Sequence, residues 1–149
     1  MNIGASNGIS TSAILDLASI ESASFDLNGF NQTMAGLART SSVDGRDATM
    51  TNSGAAATLT LNVTTYVGYG GTVSSANTTG NAIISGSTSL VKEGNGTQAL
   101  SGGGANLYTG PTVINGGSLK LQKAANTDAI PAGNSVTIIT GRCNWARAA

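Results

Sequence analysis

SLVKEGNGTQALSGGGANLYTGPTVINGGSLKLQ, residues 89–122, is the stretch whose reading decides the fold. It holds three short β-prone runs: Ala99, Leu100 and Ser101; Thr112, Val113 and Ile114; and Ser118 through Leu121. Glycine-bearing turns separate them: Gly94-Asn95-Gly96, Gly102-Gly103-Gly104, Tyr108-Thr109-Gly110-Pro111 and Asn115-Gly116-Gly117. Each run can bury one or two apolar side chains on one face and show Thr, Ser or Lys on the other. The turns fall where a tight bend or a positive φ is needed, which Gly and Asn supply at little steric cost. Three short strands that return to the same register after roughly twenty residues describe one coil of a β-solenoid.

The same residues carry a resemblance. Leu90-Val91-Lys92, Gly94-Asn95-Gly96-Thr97, Ala99-Leu100-Ser101-Gly102, Ala105-Asn106-Leu107-Tyr108-Thr109-Gly110, Thr112, Ile114, Gly117 and Leu119-Lys120-Leu121 follow one another as in a known repeat. The stretch resembles the autotransporter-associated β-strand repeat, the passenger-associated repeat of bacterial autotransporters. It departs from that pattern at Gly103-Gly104, which lengthens the first turn, and at Ala99, where a bulkier residue is usual. The run from Phe25 to Leu37, with Leu27-Asn28-Gly29-Phe30-Asn31-Gln32-Thr33 inside it, resembles a segment common beside this repeat in the same large proteins. The resemblance implies a right-handed parallel β-helix in a secreted or surface-displayed protein. It implies no particular activity.

Composition narrows the function classes. Only 9% of the 149 residues are charged, and seven basic residues balance seven acidic ones. Nucleic-acid binding therefore has no electrostatic footprint. The 21 glycines follow no every-third-residue period, which excludes collagen. Abundance of Gly, Ser, Thr and Asn raises disorder as the competing reading, and the alternating apolar residues argue against it. Cys143, the single cysteine, can form neither an internal disulfide nor a metal cluster. No basic start with an apolar stretch follows Met1, and no run of eighteen apolar residues occurs, so neither a signal peptide nor a membrane-spanning helix is expected in this chain. Export signals would then lie outside it.

Worked outward from the repeat, the rest of the chain repeats its rhythm loosely. Residues 13–17 read as a strand with Leu15 and Leu17 inward and Asp16 outward; a helix over 11–22 competes, since Ile14, Leu17 and Ile20 fall at helical spacing. Phe25 and Leu27 define a strand closed by Asn28-Gly29, and Met34 and Leu37 pack inward in the next. Residues 41–54 read as an irregular loop. Leu59, Leu61 and Val63 alternate cleanly with Thr58, Thr60 and Asn62. Tyr66 to Val73 reads as a turn and short strand, 77–80 as a bend, and Ile83-Ile84 and Leu90-Val91 lead into the repeat. Val136 and Ile138 form one more strand, which the spacing places in line with Leu100 and Leu121. About six coils are expected, and a rod of about 30 Å at ~4.8 Å per coil. The organisation is a β-helical region over 1–140, with its best repeat at 89–122, followed by an atypical tail over 141–149 that reads as a polar cap or as a truncated or frame-shifted end.

No constellation of catalytic groups emerges. The chain has no histidine, which removes the common general base and metal ligand. Asp16 and Asp26 are the one pair of acids that stacking could bring together for glycoside cleavage, against a plain reading as solvated outward residues. Asp44 and Asp47 share a loop with Arg46, which reads as a local ion pair. Lys92 reads as a coil-edge residue and Tyr108 as a half-buried ring with its hydroxyl in water. Triplets starting at Asn31, Asn62, Asn77 and Asn95 fit glycosylation acceptors, as chance provides in such a composition. The expectation is thus an all-β, right-handed parallel β-helix with short, imperfect coils, with no catalytic, cofactor or metal residues. Its role is a non-enzymatic stalk segment of a secreted or surface-displayed passenger, with adhesion as an additional expectation. Its partners are neighbouring coils of a longer chain and surface glycans or host surfaces, without nucleic acid or a membrane span. A β-helical carbohydrate-active enzyme or polysaccharide-binding module is the alternative. An outer-membrane barrel is disfavoured, because six scattered aromatics make no girdles.

Overall fold

The computed structural model of the chain describes residues 1–18, 21–40, 46–70 and 81–145. Fifteen short strands wind through them as stacked triangular turns, and no helix occurs among the described residues. The opening turn holds Asn2, bridged to Asp26, and β1 (Ile14–Asp16). The first full turn is β2 (Ala23–Asp26), β3 (Gln32–Met34) and β4 (Gly36–Ala38). The second is β5 (Asp47–Thr51), β6 (Ala57–Asn62) and β7 (Tyr66–Tyr69). The third is β8 (Asn81–Gly86), β9 (Thr88–Glu93) and β10 (Thr97–Gly102). The fourth is β11 (Leu107–Tyr108), β12 (Thr112–Ile114) and β13 (Ser118–Lys123). A last turn contributes β14 (Val136–Ile138) and β15 (Arg142–Trp145).

Every ladder is parallel. One face stacks β2, β5, β8 and β11; a second stacks β3, β6, β9, β12 and β14; the third stacks β7, β10, β13 and β15, with the pair β1–β4 at its N-terminal end. A parallel pair needs a long crossover, and here the other two sides of the same turn provide it. The fold is therefore a parallel β-helix. The expected coil of roughly twenty residues holds within the repeat, where Thr97 pairs with Ser118, and at the N-terminal end, where Ile14 pairs with Gly36. Ala48 pairs with Ala82, a step of 34 residues, and eleven residues (70–80) separate β7 from β8 there.

Side chains alternate between the interior and solvent. Phe25, Leu27, Met34, Leu37, Met50, Leu59, Leu61, Ile84, Leu90, Leu100, Ile114 and Leu119 fill the axis. At ~25 cal/mol per Å² of apolar surface removed from water, this stripe is the main favourable contribution to folding. The corner between the second and third faces is the tightest. Gly94 and Gly117 adopt φ of 71° and 58°, and a Cβ on Gly117 would stand 2.2 Å from the Gly96 carbonyl oxygen. Only glycine lets successive turns approach so closely.

Several sequence expectations change. Within residues 13–17 the strand Ile14–Asp16 forms and no helix does, with Leu17 buried and Asp16 exposed as read. Asp47 to Thr51, assigned to a loop, forms β5, whose Ala48 and Met50 point inward; residues 41–45, including Asp44, lie outside the described residues. So do Val73 and the bend at 77–80, and Ile20 of the helical alternative. Val136 to Ile138 extends the Thr112 to Ile114 stack; the residue above Leu100 and Leu121 is Trp145. The local sequence spacing misled because the last corner is longer than the repeat's own.

Candidate docking surface at the C-terminal end of the stack

Among the described residues the stack is covered at its N-terminal end and uncovered at its C-terminal end. At the N-terminal end Ile3 and Leu17 are buried, and Ile9 and Leu15 pack against the core. The segment before β1 is tied down by backbone: Asp26 N–H donates to Met1 O (2.8 Å) and Asn7 N–H to Asn31 O (2.9 Å). Gln32 completes the cover. Its amide accepts from Ile9 N–H and donates to Ile9 O, both at 3.0 Å, so a side chain stands in for a ladder strand.

The C-terminal end has no such cover among the described residues. β14 is bonded to β12 on its inner side, β15 to β13, and no described strand lies on their outer sides. Their registers show which side chains should be interior. Val136 and Ile138 stand over Thr112 and Ile114, and Cys143 and Trp145 stand over Leu119 and Leu121. Thr112, Ile114 and Leu119 are buried, yet Val136 is 44% exposed, Ile138 50% and Trp145 86%. These residues occupy interior positions of a turn that no described strand overlies. Unpaired strand edges and exposed apolar side chains together make a docking surface.

Beside Trp145, at the corner between the third and first faces, lies an open cleft of about 1020 Å³. Leu121, Lys123, Asp128, Ile130 and Trp145 contribute to its lining. Lys123 is an interior residue whose ammonium donates to the Ala82 carbonyl. Burial brings its pKa down to about 7. Asn106 stitches the same corner: it accepts from Ile84 N–H (2.9 Å) and donates to Ala129 O (2.7 Å), linking three turns.

The residues singled out from the sequence are dispersed. Asp16 lies on the third face and Asp26 on the first, so the two acids do not stack. Asp16 accepts from Thr40 N–H (3.1 Å) and Thr40 Oγ1 (2.6 Å). Asp26 accepts from Ser53 Oγ (2.5 Å), Ser53 N–H (3.0 Å) and Asn28 N–H (2.8 Å), and the Ser53 hydroxyl bond is the main cause of its lowered pKa. Both caps hold one turn to the next. Arg46 pairs with Glu21 at 3.2 Å; no ion pair joins it to Asp47 among the described residues, and Asp44 lies outside them. Tyr108 is buried, with its hydroxyl 2.7 Å from Thr112 Oγ1 instead of in water, and burial pushes its pKa up to about 12.

Lys92 is fully buried at the end of β9, not a solvated edge residue. Its ammonium donates to Glu93 O, Gly94 O (3.0 Å) and Gly116 O (3.3 Å), clamping two successive glycine corners. Burial lowers its pKa, and Glu93 opposes that shift. Sequence reasoning missed Gln98 altogether. Its amide donates to Leu37 O (2.9 Å) and accepts from Leu37 N–H (3.2 Å), which bonds β10 to β4 through the interior. A buried glutamine among the small polar residues of β10 carries no distinguishing signal. No group of three or more potential metal ligands occurs among the described residues.

Residues 90–121 match the family described as passenger-associated-transport-repeat. These 32 of 149 residues run from Leu90 in β9 through β10, β11 and β12 to Leu121 in β13, a single turn of the stack. The chain thus contains one such repeat, on the residues that carry the resemblance in its sequence. No curated protein and no solved structure matches the chain.

Proposed function

We propose that the chain is a non-enzymatic stalk segment of a secreted or surface-displayed autotransporter passenger. The observation that supports this most is the continuity of the ladders. On the second face Gln32, Leu59, Leu90, Thr112 and Val136 pair in one unbroken line from β3 to β14, and the matched repeat supplies one turn of it. A solenoid of this kind works by geometry. Each turn contacts only its neighbours, so adding turns lengthens a rod and holds the corner loops out to the surroundings. The long described corner after β13, residues 124–135, supplies such a loop, and an adhesive role would reside there. Neighbouring coils of a longer chain are the partners that the open end suits.

The test is display. The chain is placed between an export signal and an outer-membrane translocator, and its exposure to external protease and antibody is measured on intact cells. Surface appearance in a protease-resistant form supports the reading. Retention inside the cell, or display only as a protease-sensitive chain, would count against it. A parallel screen against polyuronates, where sustained cleavage would overturn the non-enzymatic assignment, covers the catalytic alternative.

A further inference from the structure

Four asparagines are followed directly by glycine: Asn7, Asn28, Asn95 and Asn115. In such a pair the covalent chain holds the glycine nitrogen close to the asparagine Cγ, and no Cβ on the glycine obstructs its approach. The fold restrains the four pairs differently. The Gly29 N–H donates to Asn52 Oδ1 (2.8 Å) and the Gly96 N–H to Val63 O (2.8 Å), so both nitrogens are engaged. At Asn7 the carboxamide is held instead, its Oδ1 accepting from Thr33 N–H (2.8 Å). At Asn115 neither restraint exists. The Gly116 N–H meets no acceptor among the described residues. Asn115 Oδ1 is the one buried side-chain oxygen or nitrogen there without a hydrogen-bond partner. Such atoms are rare in folded proteins and mark places with a reason for them. This corner lies between two turns that are both in place. Asn115 N–H donates to Lys92 O (2.8 Å) on the turn before; Ile139 N–H donates to Ile114 O (2.9 Å) and Arg142 N–H to Gly117 O (2.9 Å) from the turn after.

We infer that Asn115 is a self-modifying site, which closes on Gly116 to a succinimide and opens to aspartate or isoaspartate. The Gly116 nitrogen gives its proton to solvent and attacks Asn115 Cγ. The N–Cγ bond forms, the Cγ–Nδ2 bond breaks, and the amide nitrogen takes a proton from solvent and leaves as ammonia. Water then adds to either ring carbonyl and breaks its bond to the ring nitrogen, which leaves a carboxylate. Water is the only other reactant. Seven basic groups then face eight acidic ones, so the formal net charge passes from 0 to −1. The carboxylate arises one residue from the Gly116 carbonyl that the Lys92 ammonium holds at 3.3 Å. Lys92 takes part in no ion pair among the described residues, so the modification brings a counter-charge to the neighbourhood of a buried cation, inside the matched repeat. The inference shares with the proposed role only the stacked-coil fold.

The whole chain is incubated at pH 6, 7 and 8 and sampled over weeks by peptide mapping with tandem mass spectrometry. The readout is the gain of ~1 Da as –OH replaces –NH2, and fragment ions separate Asn95 from Asn115. Asn115 is expected to convert at least about tenfold faster than Asn28 and Asn95, the factor for a nitrogen that must first lose one hydrogen bond. It should also outpace Asn7, and its rate should climb with pH, because the attacking nitrogen must shed its proton. In urea the four pairs should convert at comparable rates. Asn115→Ser should abolish the main acidic species that ion exchange resolves. Circular dichroism follows the β signal throughout. An Asn115 that stays intact while the β signal persists, or any other pair that overtakes it, overturns the inference and leaves the stalk reading standing. Comparable rates at all four pairs without urea, together with a missing β signal, would instead overturn the fold on which both rest.

Discussion

Lys123→Met isolates the cost of one buried amine. The Lys123 side chain lies inside the stack, its ammonium meets only the Ala82 carbonyl among the described residues, and burial lowers its pKa from 10.5 to about 7. For a base with a depressed folded-state pKa, the unfolded chain binds more protons between pH 7 and 10.5. Stability therefore rises with pH through that window and is flat below it. The drop of about three and a half pKa steps corresponds to a cost on the order of 5 kcal/mol at and below pH 7, at ~1.4 kcal/mol per step. Methionine removes the charge and nearly keeps the volume, but forfeits a hydrogen bond of about 1 kcal/mol. The expected net gain at pH 7 is about 3–4 kcal/mol, shrinking toward zero by pH 10. Urea unfolding followed by circular dichroism at half-unit pH steps from 6 to 10 measures it. Above pH 10 Tyr69 and Tyr108, whose pKa values burial raises, stay protonated in the fold and ionise when unfolded, so stability falls again for both proteins. A wild-type stability that is level from pH 7 to 10, or a Lys123→Met variant less stable than wild type at pH 7, would refute the reasoning.

The other buried lysine should behave oppositely. Lys92→Met leaves carbonyls of two corners without their donor and is expected to cost about 1–3 kcal/mol at pH 7 in the same urea titration. Gly117→Ala forces a Cβ against the Gly96 carbonyl at positive φ and should lower the melting temperature by several degrees or more, while Gly133→Ala, also at positive φ but with open space around it, should cost only about 1 kcal/mol. Tyr108→Phe removes the hydroxyl from Thr112 and should cost about 1 kcal/mol, with no further loss when Thr112→Val is added, a coupling that a double-mutant cycle reads directly.

The fold was legible wherever alternation and turn chemistry agreed. Leu59 and Leu61 announce one strand, and Asn28-Gly29, both at positive φ, announce the bend after another, that of Phe25. The repeat at 90–121 shows its whole turn in its glycines. What stayed hidden was the order of stacking. Parallel partners lie 21 to 34 residues apart, and nothing local to Val136 says whether it tops Ile114 or Leu121. Polar residues in the interior were equally opaque. Lys92, Gln98, Asn106 and Lys123 sit among residues that look solvated, and only the closed turn shows that their partners are carbonyls and amides inside it. The docking surface follows from the same information. Val136 and Ile138 read as ordinary strand residues, and Trp145 as part of an atypical tail, until register shows that they are core positions with no described layer above them.

The central claim is the stacking of in-register parallel turns, and a distance across two rungs tests it most directly. Thr60 and Val113 point outward on the second face and are joined through Val91. Spin labels at Thr60→Cys and Val113→Cys, with Cys143→Ser, should report backbones about 10 Å apart, two strand spacings of ~4.8 Å. Strong dipolar broadening with a narrow distribution near that distance is the expected spectrum. Uncoupled labels, or a broad distribution centred well beyond it, would contradict the solenoid.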